Sequence, residues 1–203
     1  MRGHDLCAVI AGAIGALLLA CVTPAAGAAI PSNAQSAPAR PANAGAASKA
    51  DDRLIDQDGL RVSPSQLDGH WLLVYFGYAQ CPDLCPASLT RMRLILDKLG
   101  PAGAGIVPLF VSVDPQHDTP ARLKSFAAQF HPRLRALTGS ATAIADAART
   151  FSVPVRPAGK GGIDHGVFTY LAAPDGRVLV VLHPGQTLEA DLAQIRHAMS
   201  AWK

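Results

Sequence analysis

The chain has 203 residues, a formal net charge of +3 at pH 7 and 49% hydrophobic residues. This length accommodates one globular domain of roughly 100–150 residues together with an extension. The arginines are scattered along the sequence, which excludes the basic stripe that nucleic-acid binding requires. We therefore expect a single folded domain and no nucleic-acid partner.

Residues 1–28 have the features of an export signal. Arg2 precedes an uncharged apolar stretch from Leu6 to Val22, and small residues at 26–28 suit a signal peptidase. The stretch is slightly shorter than the roughly 20 apolar residues of a membrane span, and an uncleaved anchor is the alternative. Leu18 to Cys21 also resembles a bacterial lipobox, in which Cys21 becomes lipidated. Each alternative places the rest of the chain on the periplasmic, oxidising side of the membrane, and the last two keep it attached through the N-terminus.

Residues 29–50 consist largely of Ala, Pro, Ser, Asn and Gly. A segment of this composition cannot bury enough apolar surface to offset the entropy lost on ordering, which predicts a flexible tether. We expect the folded domain to cover residues 51–203.

The domain is predicted to begin with two strand–helix units. The apolar run within residues 70–78 indicates a central strand, and the helix after it ends at Gly100 and Pro101. Residues 106–113 form a second β-type run. Thr119 and Pro120 then supply an N-cap and a first-turn proline for the next helix.

The second half is predicted to contain a helix, a hairpin and a last helix. The helix follows Ser140, and the stretch from Pro154 to Gly162 is irregular. Two β-type runs flank the turn at 174–176, and apolar residues at helical spacing follow from Leu188. This order predicts an α/β domain with a mixed sheet covered on both faces, which is compatible with a thioredoxin-like fold.

Cys81 and Cys85 are the only cysteines of the predicted domain, because Cys7 lies with Cys21 in the export segment. They follow the central strand directly, and we expect Pro86 at the first helical position with both thiols near the helix N-terminus, which favours thiolate. Three intervening residues give a wider separation than the two of the thioredoxin redox motif, so both thiolates can bind one metal ion. A redox-active pair and a purely structural disulfide are the alternatives, although so short a closed loop adds little stability.

Three sequence motifs point to a family. The stretch at 76–86, FGYAQCPDLCP, resembles the signature of the Sco/SenC family. The stretch at 113–120, VDPQHDTP, resembles that family's second motif, and Asp164–His165 with the residues up to Gly176 resembles its third. The three occur in the expected order and span most of the predicted domain.

This resemblance implies a thioredoxin-like fold in which Cys81, Cys85 and His165 bind one copper ion per chain. Thiolates suit Cu(I), and an added imidazole lets the same site hold Cu(II). The resemblance also implies a copper metallochaperone that assists assembly of the binuclear copper centre of cytochrome c oxidase subunit II. Other copper chaperones and thiol reductants are the further partners expected.

The other candidates have simpler interpretations. We expect His70, His131, His183 and His197 to lie at the surface, because no motif surrounds them. His117 belongs to a turn that enters a helix, and Met92 belongs to the core. Asp114 either forms that turn or orders the copper loop or the partner surface.

A thiol–disulfide oxidoreductase is the main competing function. In that hypothesis Cys81 and Cys85 are catalytic residues that keep the copper-binding cysteines of the target reduced. A chaperone turns over no small substrate. His165 distinguishes the two functions, because it is needed to bind copper and is not needed for disulfide exchange. A peroxidase is the weaker alternative, because no motif for a peroxidatic thiolate is present.

Overall fold

The computed structural model describes residues 54–159 and 162–203, so the predicted export segment and tether lie outside the described residues. The described residues contain a seven-stranded mixed sheet. Its strands are β1 (Leu54–Asp56), β2 (Arg61–Val62), β3 (Trp71–Gly77), β4 (Ile106–Ser112), β5 (Arg135–Thr138), β8 (Thr169–Ala172) and β9 (Val178–Leu182). Their order in the sheet is β2-β1-β5-β4-β3-β8-β9. A separate two-stranded sheet pairs β6 (Arg156–Pro157) with β7 (Ile163–Asp164).

The helices predicted from apolar spacing are all present. They are α1 (Leu84–Leu99), α2 (Pro120–Ala127), α3 (Ala141–Thr150) and α4 (Leu188–Ala201). The side chains of Thr119, Ser140 and Thr187 each accept a hydrogen bond from a backbone N–H in the first turn of the helix that follows. These caps satisfy donors that have no partner within the helix, and the cap at Thr119 was predicted from the sequence. No helix in the described part of the chain is long and apolar enough to span a membrane.

The sheet is covered on both faces, as predicted. Strands β3, β4 and β5 run parallel, and β8 pairs antiparallel with β3. Successive residues of β3 point to opposite faces: Leu73 and Tyr75 pack with α1, α2 and α4, whereas Val74 and Phe76 pack with α3. Met92 is buried in the first of these cores, which confirms its predicted structural role.

Helix α1 begins two residues earlier than the sequence predicted. Pro86 is the third residue of α1, and Cys85 lies inside the first turn instead of in the loop before it. The first four N–H groups of a helix have no intrahelical acceptor, so proline loses no hydrogen bond at this position.

Short strands account for the other differences from prediction. No strand was predicted at β1, β2 or β5, and the stretch at 154–162, predicted as irregular, contains β6 and the approach to β7. These strands have two to four residues each, too few for a periodic pattern to identify, and they form because a neighbouring strand is available for pairing.

Candidate metal centre

The two cysteines of the domain meet where β3 turns into α1. The N–H of Cys81 donates to the carbonyl of Tyr78 at 3.1 Å, which closes the turn after the strand. The N–H of Cys85 donates to Sγ of Cys81 at 3.4 Å. The side chain of Cys85 is completely buried, and that of Cys81 is nearly so. Both are free thiols in this structure.

His165 completes the group from a distant part of the sequence. It follows β7, and the antiparallel pairing of β8 with β3 returns this part of the chain to the cysteines. Its Nε2 lies 3.8 Å from Sγ of Cys85. The ligand atoms of Cys81, Cys85 and His165 all lie within 4.8 Å of one another. The structure therefore brings together the three residues predicted as ligands.

The imidazole of His165 is held in one tautomer. Its Nδ1 lies 2.7 Å from the carbonyl of Gly166, which requires that Nδ1 carry the proton and donate it. Burial lowers the pKa of His165, so the ring is neutral at pH 7. Its Nε2 lone pair consequently faces Cys85 and is free to bind a metal ion.

Cys85 differs from the sequence-based expectation. Burial raises the pKa of its thiol to about 12, and a hydrogen bond with Cys81 adds to this effect. The helix N-terminus was predicted to favour thiolate at both cysteines, but for Cys85 the loss of solvent outweighs the helix dipole. In the metal-free protein Cys85 is a thiol, and a metal ion must displace its proton to bind.

Two tyrosines that were not predicted as site residues contact this group and hold it in place. Tyr75 and Tyr78 contact the His165 ring edge-on, with ring centroids at 6.1 and 5.8 Å. The Tyr75 hydroxyl donates to Sγ of Cys85 over 3.9 Å, and burial raises the pKa of Tyr75, so it stays a donor. Both residues precede Cys81 in the strand run, but no local signal indicated that they would face a histidine far along the chain.

Asp114 and His117 lie outside the group of three. Nδ1 of His117 lies 2.8 Å from the Asp114 carboxylate, and the Asp114 carbonyl accepts hydrogen bonds from the N–H groups of His117 and Asp118. These contacts support the turn-forming interpretation of the motif at 113–120. Among residues 54–159 and 162–203, Cys81, Cys85 and His165 form the one group of three or more His, Cys, Asp or Glu side chains placed to share a metal ion.

The donor set fits copper. Two sulfurs and one imidazole nitrogen are soft or borderline ligands, which favour Cu(I) and accommodate Cu(II). Three donors also leave coordination positions free.

Comparison with known proteins agrees with this geometry. The family model SCO1/SenC matches residues 41–200. A mitochondrial SCO1 homologue of Arabidopsis thaliana is 37% identical over 127 residues, which are 60% of this chain and 38% of that protein. The matches to three curated relatives, from Arabidopsis thaliana, Rickettsia prowazekii and Danio rerio, cover 38%, 64% and 48% of the length of those proteins.

Solved structures extend the agreement to the fold. The crystal structure of Arabidopsis thaliana ScoI with copper bound superposes with a TM-score of 0.69 at 31% identity, covering 74% of this chain and 96% of that one. BsSco, described as a member of the Sco family of cytochrome c oxidase assembly proteins with a disulfide switch, superposes with a TM-score of 0.62 at 27% identity, covering 74% and 92%. These matches confirm the predicted thioredoxin-like fold. Family model, relatives and structures agree, and the chain belongs to the SCO1/SenC family.

Proposed function

We propose that this protein is a copper metallochaperone that holds one copper ion between Cys81, Cys85 and His165. The observation that carries the proposal is the convergence of two thiols and a neutral imidazole within 4.8 Å at one end of the sheet. Copper-bound structures of relatives with 30–33% identity support the choice of metal.

The residues of the site suit both capture and release of copper. The two thiolates hold Cu(I), and Nε2 of His165 adds the ligand that Cu(II) requires. Leu84, between the two cysteines, is 53% exposed. An exposed apolar side chain next to Cys85 in the sequence is suited to contact a partner that takes up the copper. The site itself is buried, which limits access of water and of competing ligands.

We further propose that the protein acts in the periplasm, attached to the membrane through its N-terminus, and delivers copper to subunit II of cytochrome c oxidase. The description of BsSco supports a role in assembly of this oxidase. Attachment is proposed from the N-terminal sequence, in which the apolar stretch from Leu6 to Val22 has the features of an export signal or an anchor.

A thiol–disulfide oxidoreductase is the second candidate, favoured by the two free thiols within 4.8 Å of one another. In this reaction the Cys81 thiolate attacks a partner disulfide and one partner thiolate leaves. Cys85 then loses its proton and attacks the Cys81 sulfur, which releases the second partner thiolate. The partner gains two electrons, Cys81 and Cys85 become a disulfide, and a thiol reductant must restore them.

The His165→Ala variant distinguishes the two functions. We expect reduced wild-type protein to bind one copper ion per chain in an anaerobic titration. Loss of the imidazole should weaken Cu(II) binding strongly and Cu(I) binding less, because two thiolates suffice for Cu(I). Disulfide exchange should persist in this variant, since it needs only the cysteines.

The matched control for this experiment is His197→Ala, which removes an exposed histidine outside the group. It should bind copper like the wild type. If His165→Ala also bound Cu(II) like the wild type, His165 would not be a ligand. If the wild type bound no copper, the oxidoreductase would become the leading function.

Copper affinity should increase with pH. Because burial raises the pKa of Cys85 to about 12, copper binding releases its proton at every pH from 6 to 9. That proton alone should tighten binding about tenfold per pH unit. Cu(I) competition titrations at several pH values, compared with His165→Ala, provide the measurement. The variant should show the same slope above pH 7, because His165 is already neutral there; an affinity independent of pH would show that Cys85 is a thiolate before copper arrives.

A further inference from the structure

A buried carboxylate lies directly behind the turn that carries Cys81. Asp118 is 0% exposed. Its Oδ2 accepts hydrogen bonds from the backbone N–H of Ala79 at 2.9 Å and from Oγ of Ser112 at 2.7 Å. Ser112 in turn accepts a hydrogen bond from the N–H of Asp114 at 3.1 Å. One carboxylate therefore joins the residues that follow β3 to those that follow β4.

The bond to Ala79 reaches the metal centre through only two residues. Ala79 lies between Tyr78, whose carbonyl accepts from the N–H of Cys81, and Cys81 itself. The same turn places Sγ of Cys81 against the N–H of Cys85. A shift of the Ala79 backbone would therefore move the Cys81 sulfur relative to the other two ligands.

The cost of burying this carboxylate is poorly compensated. Its second oxygen, Oδ1, makes no hydrogen bond and lies 3.8 Å from Nε of Arg122, whose side chain is 46% exposed. Buried charges with incomplete partners reduce stability, so stability is a weak reason to place one here. The bond to Ala79 gives the carboxylate a different role.

We propose that Asp118 is a positioning residue for the metal centre. By holding the Ala79 N–H it fixes the turn at Tyr78–Cys81, and it thereby sets the position of the Cys81 sulfur relative to Cys85 and His165. Where it concerns copper, this proposal rests on the proposed function. In the metal-free protein, the same positioning sets the distance between the two thiols and therefore the redox midpoint of the Cys81–Cys85 couple.

The test compares three variants of the reduced protein. Asp118→Ala removes both hydrogen bonds of Oδ2. Asp118→Asn retains a carbonyl oxygen that can accept from Ala79. Ser112→Ala removes the other donor to the same oxygen and leaves the Ala79 bond in place, which makes it the matched control. We expect copper affinity about 10- to 100-fold lower in Asp118→Ala, a typical effect of losing a group that orients a metal ligand, and near wild type in the other two.

Two readouts separate positioning from a general loss of stability. Hydrogen exchange at the Ala79 amide should accelerate in Asp118→Ala and stay protected in Ser112→Ala and Asp118→Asn. The Cu(II)–thiolate absorption and the electron paramagnetic resonance spectrum should change only in Asp118→Ala. A destabilised Asp118→Ala protein with wild-type copper affinity and spectra would overturn the proposal.

The remaining outcomes are also decisive. If Asp118→Ala does not fold, Asp118→Asn carries the test: loss of copper affinity with the Ala79 amide still protected would overturn positioning through that bond. If the wild type binds no copper, the proposed function fails, but equilibration with a glutathione redox buffer still tests Asp118. The midpoint of the Cys81–Cys85 couple should shift in Asp118→Ala and not in Ser112→Ala; identical midpoints would overturn the proposal independently of copper.

Discussion

Replacing Cys85 by alanine is expected to lower Cu(I) affinity about 100- to 1,000-fold, because one of only two thiolates is lost. A complete metal site binds with roughly 10–16 kcal/mol shared among its ligands, so each ligand contributes a few kcal/mol. The substitution keeps the backbone N–H of residue 85, which donates to Sγ of Cys81. Cys81 and His165 should therefore stay in place, and the loss measures the missing sulfur.

The measurement is anaerobic competition with a Cu(I) chelator of known affinity. Met92→Leu is the matched control, because it removes a buried sulfur from the same helix at a residue outside the group of three. We expect it to bind copper like the wild type, since exchanges of similar volume in a core cost little. Cys85→Ala should also fail in disulfide exchange. Wild-type copper affinity in this variant would exclude Cys85 from the ligand set.

The Gly77→Ala substitution is expected to disturb both the fold and the metal centre. A Cβ at this position would lie 2.8 Å from Sγ of Cys85 and 3.0 Å from the rings of Phe110 and Tyr75. All three neighbours are completely buried, so they have little room to move. We expect the free energy of unfolding to fall by about 1–3 kcal/mol, which is the usual cost of overpacking a core.

The same displacement should weaken copper binding, because the Cys85 sulfur must move away from the added methyl group. Gly105→Ala is the control: it stands just before β4, and a Cβ there meets nothing within 4 Å. Thermal unfolding and copper titration of both variants test the expectation. Equal effects of the two substitutions would show that the contact between Gly77 and Cys85 has no influence on the centre.

Local signals in the sequence were sufficient to predict the main helices and strands. The cap at Thr119 and the break at Gly100–Pro101 predicted helix boundaries that the structure contains, because capping and proline effects act within one turn. The apolar run of β3 predicted a buried strand, because this signal also lies within the element itself. The predicted leader at 1–28 and tether at 29–50 stay predictions.

Only part of the candidate site could be predicted from local sequence signals. The short spacing of Cys81 and Cys85 indicated a shared site, since residues this close in sequence stay close in any fold. His165 is 80 residues from Cys85, and only the resemblance to a family pointed to it. The antiparallel pairing of β8 with β3 decides that the two meet.

Other properties of the site depend on tertiary structure alone. The raised pKa of Cys85 results from burial by residues of several elements, which outweighs the helix N-terminus that the sequence revealed. The contact of Asp118 with Ala79 joins residues 39 positions apart. The sequence by itself thus determined the kinds of ligand and the elements that carry them, because these follow from short-range chemistry. The distances between the ligands, their protonation and the groups that hold them were decided only when the strands paired and excluded water.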